Sequence, residues 1–223
     1  MTPSTGQLFV VATPIGNLGD ISVRARQILS TVDLVLCEDT RVTAKLMAAL
    51  EIRPSLHSFH EHTDALKRRQ FVDMLVAGKK IAVVSDAGTP AISDPGGFLV
   101  ADAIAAGVTV TPIPGVSAVI AALSVSGFPI ERFTFVGFPP HKKGRQSFFK
   151  ELGEIEHAIV LYESTHRIDK TLESLKELGR TLMVGRELTK LHETIYRGTA
   201  EEVTKQIAAT SSKGEFVIVI APK

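Results

Sequence analysis

Ile81-Ala-Val-Val-Ser-Asp-Ala-Gly-Thr-Pro-Ala-Ile-Ser-Asp-Pro-Gly-Gly97 decides the fold: an apolar run that reads as a buried strand opens into a loop holding two prolines and three glycines. A purely structural link between strand and helix rarely needs about ten irregular residues. Two other segments have the same build. Leu8 to Ala12 runs into Thr13-Pro-Ile-Gly-Asn-Leu-Gly-Asp20, and Val108 to Thr111 into Pro112-Ile-Pro-Gly-Val-Ser-Ala118. Ligands of open parallel sheets bind beyond the carboxyl ends of the strands, so three such loops point to one small-molecule site.

Working outward, further strands are predicted over 34–37 and 56–59, with helices over 21–30, from about Val42, and over 63–77, 98–106 and 116–125. Apolar runs alternating with helical periods indicate parallel strands joined by crossover helices. Turn residues in Ser126-Gly-Phe-Pro-Ile130 mark a hinge. Beyond it the style repeats, with strands over 134–136, 159–162, 182–185 and 216–220 and helices over 145–152, 167–178 and 200–208. The expectation is an α/β protein of two α/β domains, residues 1–125 and 126–223, without internal repeats.

Composition excludes several function classes. At 223 residues, 44% hydrophobic and 22% charged, the chain can bury one large core or two modest ones. A net charge of +1 provides no global field for nucleic acid or membrane, so any basic surface is local. One cysteine rules out an internal disulfide and disfavours a Cys-based zinc site. Met1 to Gln7 lacks a cationic stretch followed by an apolar segment, and no apolar run approaches the roughly 18 residues of a membrane span, which predicts a cytoplasmic protein.

The loops carry the candidate chemistry. Thr13 to Asp20 does not supply G-x-G-x-x-G and no Gly-Lys-Ser/Thr follows, so dinucleotide and P-loop readings lose ground. Asp86 follows the strand where a carboxylate can point into the crevice, whereas capping of the next helix suffices to explain Asp94. Small residues at Ser117 and Ala118 let a ligand lie against the backbone, though close helix packing needs them equally. Glu38-Asp-Thr-Arg41 closes another strand, with a solvated cap as the plain alternative. His57, His60 and His62 read as solvated histidines, and no metal is expected. His141-Lys-Lys-Gly-Arg145 concentrates cations suited to phosphate contact. Tyr162-Glu-Ser-Thr-His-Arg167 and Arg186-Glu-Leu-Thr-Lys190 each place hydroxyl, carboxylate and cation at a strand end, yet the Gly-x-Ser-x-Gly of a hydrolase elbow is absent.

Taken in order, Thr13-Pro-Ile-Gly-Asn-Leu18, Glu38-Asp-Thr-Arg41, Ser85-Asp-Ala-Gly-Thr-Pro90, Ser93-Asp-Pro-Gly96, Pro114-Gly115, Tyr162-Glu-Ser-Thr-His-Arg167 and Arg186-Glu-Leu-Thr-Lys190 resemble the ribosomal RNA small subunit methyltransferase I family of the tetrapyrrole methylase superfamily. The resemblance implies two α/β domains with a cofactor cleft between them and a homodimer. It also implies S-adenosylmethionine as cofactor and 2'-O-methylation of a cytidine ribose in the decoding region of 16S ribosomal RNA within the 30S subunit. It assigns the cofactor to Pro14, Asp86, Thr89, Ser117 and Ala118, with Tyr162, Arg186 and Glu215 from the second domain. Candidate general bases are Glu163, His166 and Glu187; RNA contacts are expected from Arg41, Lys142, Lys143, Arg145, Arg167 and Lys190, some of which ion pairs alone would explain. Competing readings are a tetrapyrrole C-methyltransferase of the same fold and a catalytically silent RNA-binding module. Family members commonly continue into a small helical extension, whereas this sequence stops at Ala221-Pro-Lys223.

Overall fold

The computed structural model describes residues 6–60, 63–93 and 96–223. The chain forms two compact units, Met1–Ser117 and Ala118–Lys223.

The first unit is built from β1 (Gln7–Val11), α1 (Val23–Thr31), β2 (Leu34–Cys37), α2 (Thr40–Ala49), β3 (Leu56–Ser58), α3 (Ala65–Val76), β4 (Lys80–Val83), α4 (Gly97–Ala105) and β5 (Thr109–Ile113). All five strands run parallel in the order β3-β2-β4-β1-β5. Continuous apolar runs make such strands because both faces are covered. Leu8, Leu34, Leu36, Ile81 and Val83 join one core with Phe71, Leu75, Leu99 and Ala103 of α3 and α4. The alternate residues Phe9, Val11, Val35, Cys37 and Ala82 join a second core with Ala25, Leu29 and Met47 of α1 and α2. Burying each large side chain of this kind stabilises the fold by about 1.5–3 kcal/mol.

Helix starts follow side-chain capping. Ser22 accepts the Ala25 amide, Asp39 that of Arg41 and Asp64 that of Lys67. At α4 the cap position is Gly96, with no side-chain bond. Asp94, the expected cap, lies outside the described residues, as does His62.

The second unit comprises α5 (Ala118–Ser124), β6 (Phe133–Phe135), α6 (Arg145–Glu154), β7 (Ala158–Ser164), α7 (Ile168–Lys176), β8 (Leu182–Arg186), β9 (Thr194–Gly198), α8 (Ala200–Ala209) and β10 (Glu215–Ile220). Its strand order is β6-β7-β10-β8-β9. Two expectations change here. Only β6 and β7 are parallel, the other neighbours being antiparallel. The link from β8 to β9 is too short for a crossover, so the chain turns back on itself. Second, α5 packs on β10 and β7 and therefore belongs to this unit rather than preceding a hinge at Ser126.

Candidate active site

In the first unit the chain's own bonds gather the three loops. Thr13 and Gly88 pair as an isolated antiparallel bridge, with N–H to O distances of 2.9 and 3.1 Å. The buried Thr13 hydroxyl also donates to the Ser85 carbonyl at 3.1 Å, locking the loop after β1 to the loop after β4. Thr89 Oγ1 donates to the Val116 carbonyl at 3.1 Å, which brings in the loop after β5. Gly115 is required by close approach: a Cβ there would stand 2.9 Å from Ala12 Cβ.

A fourth loop joins them. From β2 the chain crosses one face of the sheet to β3; from β4 it crosses the other face to β5, so the carboxyl ends of β2 and β4 flank the switch point where open sheets bind ligands. Across this crevice the Asp39 amide donates to Asp86 Oδ1 at 3.3 Å. Asp86 is exposed, two residues further from the strand end than the sequence implied, because β4 stops at Val83. Pro14, Thr89 and Ser117 are half-buried on the joined loops, and Ala118 opens α5. Arg41 is exposed and grips Asp39 at 2.6 Å; its side-chain hydrogen bonds and backbone amide hold the Asp39 carboxyl down to about 2. Cys37 is buried, and burial pushes its thiol up, away from nucleophilic use. Among the described residues no three His, Cys, Asp or Glu side chains gather as a metal site.

In the second unit antiparallel pairing does the gathering. The end of β7, the start of β10 and the end of β8 share one sheet edge, since Ser164 pairs with Glu215 and Phe216 with Arg186. Thr165 Oγ1 donates to the Gly214 carbonyl and accepts the Gly214 amide, both at 2.7 Å, fastening the turn after β7 to the turn before β10. His166 is exposed at the tip of its turn. Tyr162 packs edge-on against Phe135 at 4.9 Å and against Phe138 at 5.5 Å between ring centroids.

Glu187 sits at φ 51° and Thr189 at φ 67°, two non-glycine residues held in left-handed backbone. Burial pushes the Glu187 carboxyl up, but the Glu215 amide and the Lys190 ammonium outweigh it and leave it below the usual range. Lys190 Nζ bonds Glu187 Oε1 at 3.0 Å and Glu215 Oε2 at 2.8 Å. Burial pulls this ammonium down, and the two carboxylates more than offset it, leaving its pKa raised. For Glu187 the folded pKa lies below the unfolded one, so its stabilising contribution is fully present above the unfolded value and is lost as pH falls through the folded value. An NMR titration of Glu187 is expected to give a midpoint below the roughly 4.3 of free glutamate; a midpoint at or above that value would mean the tether does not hold.

Two expected site residues are corrected. Glu163 is not available as a base: its side chain is 0% exposed, with Oε1 2.8 Å from Arg167 Nε and 2.8 Å from the Ser164 amide, while the Thr171 hydroxyl donates to Oε2. The pleat turns it inward, toward Arg167 on the turn that follows the strand. Arg145 is not a free cation on the basic loop, because its guanidinium donates to the Pro140 carbonyl at 3.1 Å and to Thr171 Oγ1 at 2.8 Å. Arg167 likewise donates to the Pro139 carbonyl at 2.8 Å. Arg186 is buried, donating to the Lys213 and His192 carbonyls. Lys142 and Lys143 stay exposed on a loop that Arg145 and Arg167 hold in place. Thr171, which links Arg145 to Glu163, was invisible in the sequence because a threonine within a helical period carries no signal of its own.

The tetrapyrrole (corrin/porphyrin) methylase family matches residues 7–204. A ribosomal RNA small subunit methyltransferase I from Xylella fastidiosa is 47% identical over 96% of this chain and 81% of its own length. The protein of that name from Thermotoga maritima is 41% identical over 98% of this chain and 99% of its own. Among solved structures, uroporphyrin-III C-methyltransferase from Thermus thermophilus complexed with S-adenosyl homocysteine has a TM-score of 0.65 at 17% identity, covering 97% of each chain, a likeness of fold. With its loops in the order and pairing described, the chain belongs to the ribosomal RNA small subunit methyltransferase I family of the tetrapyrrole methylases, and it is a methyltransferase.

Proposed function

We propose that the protein methylates the 2'-hydroxyl of a cytidine ribose in the decoding region of 16S ribosomal RNA, acting on the 30S subunit as a homodimer in the cytoplasm. Family membership supplies the rRNA methyltransferase activity and S-adenosylmethionine as methyl donor. The observation that carries the reading to residues is the joining of three Gly/Pro loops by the Thr13–Gly88 bridge and the Thr89–Val116 bond. An exposed carboxylate at Asp86, on a loop bonded through Thr89 to the loop of residues 114–117, suits a ligand that offers amino and hydroxyl donors and carries positive charge. The residues therefore fit the cofactor.

When bound, S-adenosylmethionine supplies an electrophilic methyl group. The chain must hold the acceptor oxygen about 3 Å from the methyl carbon and in line with the leaving sulfur. The hydroxyl must also lose its proton. Glu163 is enclosed, and a carboxyl held low like Glu187 is a weak base, so the exposed His166 imidazole takes the proton while Glu187 fixes Lys190. Tyr162, Arg186 and Glu215 remain second-unit cofactor assignments, with Arg186 acting through the loops it ties together.

Incubating the protein with methyl-labelled cofactor and 30S subunits lacking the modification, then mapping the label, tests the reading. Label on one cytidine ribose supports it. Label only on a tetrapyrrole such as uroporphyrinogen, or no calorimetric signal with the cofactor, would replace it by one of the two rivals. Lys142→Ala with Lys143→Ala should flatten the salt dependence of RNA binding by about 0.7 in log–log slope for each phosphate left without its cation, and cofactor affinity should be unchanged. An unaltered slope would return this loop to ordinary solvated surface.

A further inference from the structure

Beside the switch-point crevice, within the first unit, opens a cavity of about 680 Å³ whose wall includes Glu38, Phe59, His60, Arg68, Ser93 and Phe98. That volume falls within the roughly 300–1,000 Å³ of small-molecule sites. None of the residues assigned to the cofactor lines it. It is a compartment distinct from those residues.

Phe98 is the informative wall residue. Its ring is 70% exposed although its neighbour Leu99 is fully buried, and α4 turns Leu99 and Ala103, not Phe98, into the core. An exposed aromatic alone is ordinary surface. This one is braced: the Arg68 guanidinium carbon lies 5.5 Å from the ring centroid, and Arg68 Nε is fixed by Asp102 Oδ2 at 2.5 Å. A guanidinium over an aromatic ring, its Nε held by a carboxylate, on the wall of a cavity offers a platform for a further flat ring. Unpaired nucleobases are recognised by stacking on aromatic side chains and arginine planes, with polar groups reading their edges. His60, Ser93 and Glu38 supply polar wall to the same cavity.

We propose that this cavity binds an unpaired nucleobase of the RNA substrate, stacked on the Phe98–Arg68 platform. The inference rests on the proposed RNA methyltransferase activity, which it deepens by naming where the nucleic acid is held. The structure also provides a second probe of the compartment: Gly97 stands on the cavity wall, and a Cβ there would meet no atom within 4 Å.

The test compares the wild-type protein with Phe98→Ala, Phe98→Leu, Phe98→Tyr and Gly97→Leu, using unmethylated 30S subunits as substrate, calorimetry with S-adenosylmethionine and thermal unfolding of each variant. Phe98→Ala should raise the KM for the subunits about tenfold, with kcat and cofactor affinity held, because it removes a stacking interaction made equally in ground and transition states. Phe98→Tyr should restore the KM and Phe98→Leu should not, since leucine keeps the apolar area without a π face. Gly97→Leu should act like Phe98→Ala. A mixed-sequence oligoribonucleotide carrying 5-iodouridine should photocrosslink to the peptide containing Phe98. An unchanged KM in Phe98→Ala, or leucine performing as well as phenylalanine, or crosslinks confined to residues 141–145, would overturn the inference while leaving the methyltransferase reading intact. A wild-type protein that transfers no label to RNA would overturn both.

Discussion

Arg167→Leu is expected to destabilise the second unit by about 3–5 kcal/mol, the cost of leaving a buried carboxylate without its countercharge. Glu163 would keep the Ser164 amide and the Thr171 hydroxyl but lose the guanidinium 2.8 Å away. The same guanidinium holds the Pro139 carbonyl and lies 5.8 Å from the Phe138 ring centroid, so the loop bearing Lys142 and Lys143 should loosen with it. Urea unfolding of the full chain measures the loss. Combining Arg167→Leu with Glu163→Leu should recover most of it, because removing both charges eliminates the uncompensated ion. A single variant within about 1 kcal/mol of wild type would mean that water already reaches Glu163.

The second large effect belongs to Gly115→Val. A Cβ at this position would stand 2.9 Å from Ala12 Cβ and 3.6 Å from the Ala12 carbonyl oxygen, a clash only backbone movement can relieve. Ala12 is tied to the neighbouring strand through its amide on the Ile113 carbonyl at 3.2 Å, so the loops after β1 and β5 must part. Overpacking of this kind costs about 1–3 kcal/mol of stability. The functional loss is expected to be larger: calorimetry should show S-adenosylmethionine affinity reduced more than tenfold, since the site requires both loops in register. Full cofactor affinity in the valine variant would mean that the joined loops are scaffold only.

Most of the first unit was legible because its chemistry is local. Runs such as Leu34-Val-Leu-Cys37 are apolar at every position since helices cover both faces, and the Gly/Pro loops announce strand ends. The second unit was harder. β9, Thr194-Ile-Tyr-Arg-Gly198, is a half-exposed edge strand in which only Tyr196 is buried, so no apolar run marks it. Glu163 looked like a site residue because the sequence shows a carboxylate near a strand end but not which face the pleat gives it. β7 runs on to Ser164, and that extension encloses the side chain. Arg145 misled for the converse reason: neighbouring lysines suggest a solvated cluster, while its partners Pro140 and Thr171 come from a preceding loop and a later helix. The Phe98 platform has a faint signal, an aromatic directly after Gly96-Gly97 where a helix begins, and only its position beside Arg68 gives it meaning.

The strand order β3-β2-β4-β1-β5 also sets a timetable for synthesis. β1 leaves the ribosome first, yet its two neighbours are β4 and β5, with Gln7 pairing to Lys80 on one side and to Thr109 on the other. At about 5–20 residues per second, the strand that ends at the central loop waits on the order of 5–20 s for its second partner. Until β4 is made its apolar residues have no sheet to enter, and among the described strands of this unit only β2 with β3 can pair earlier. The ligand crevice between β2 and β4 and the bridge from Thr13 to Gly88 therefore wait for β4 and the loop after it, and a nascent chain arrested before Val83 holds an aggregation-prone hydrophobic strand rather than half an enzyme.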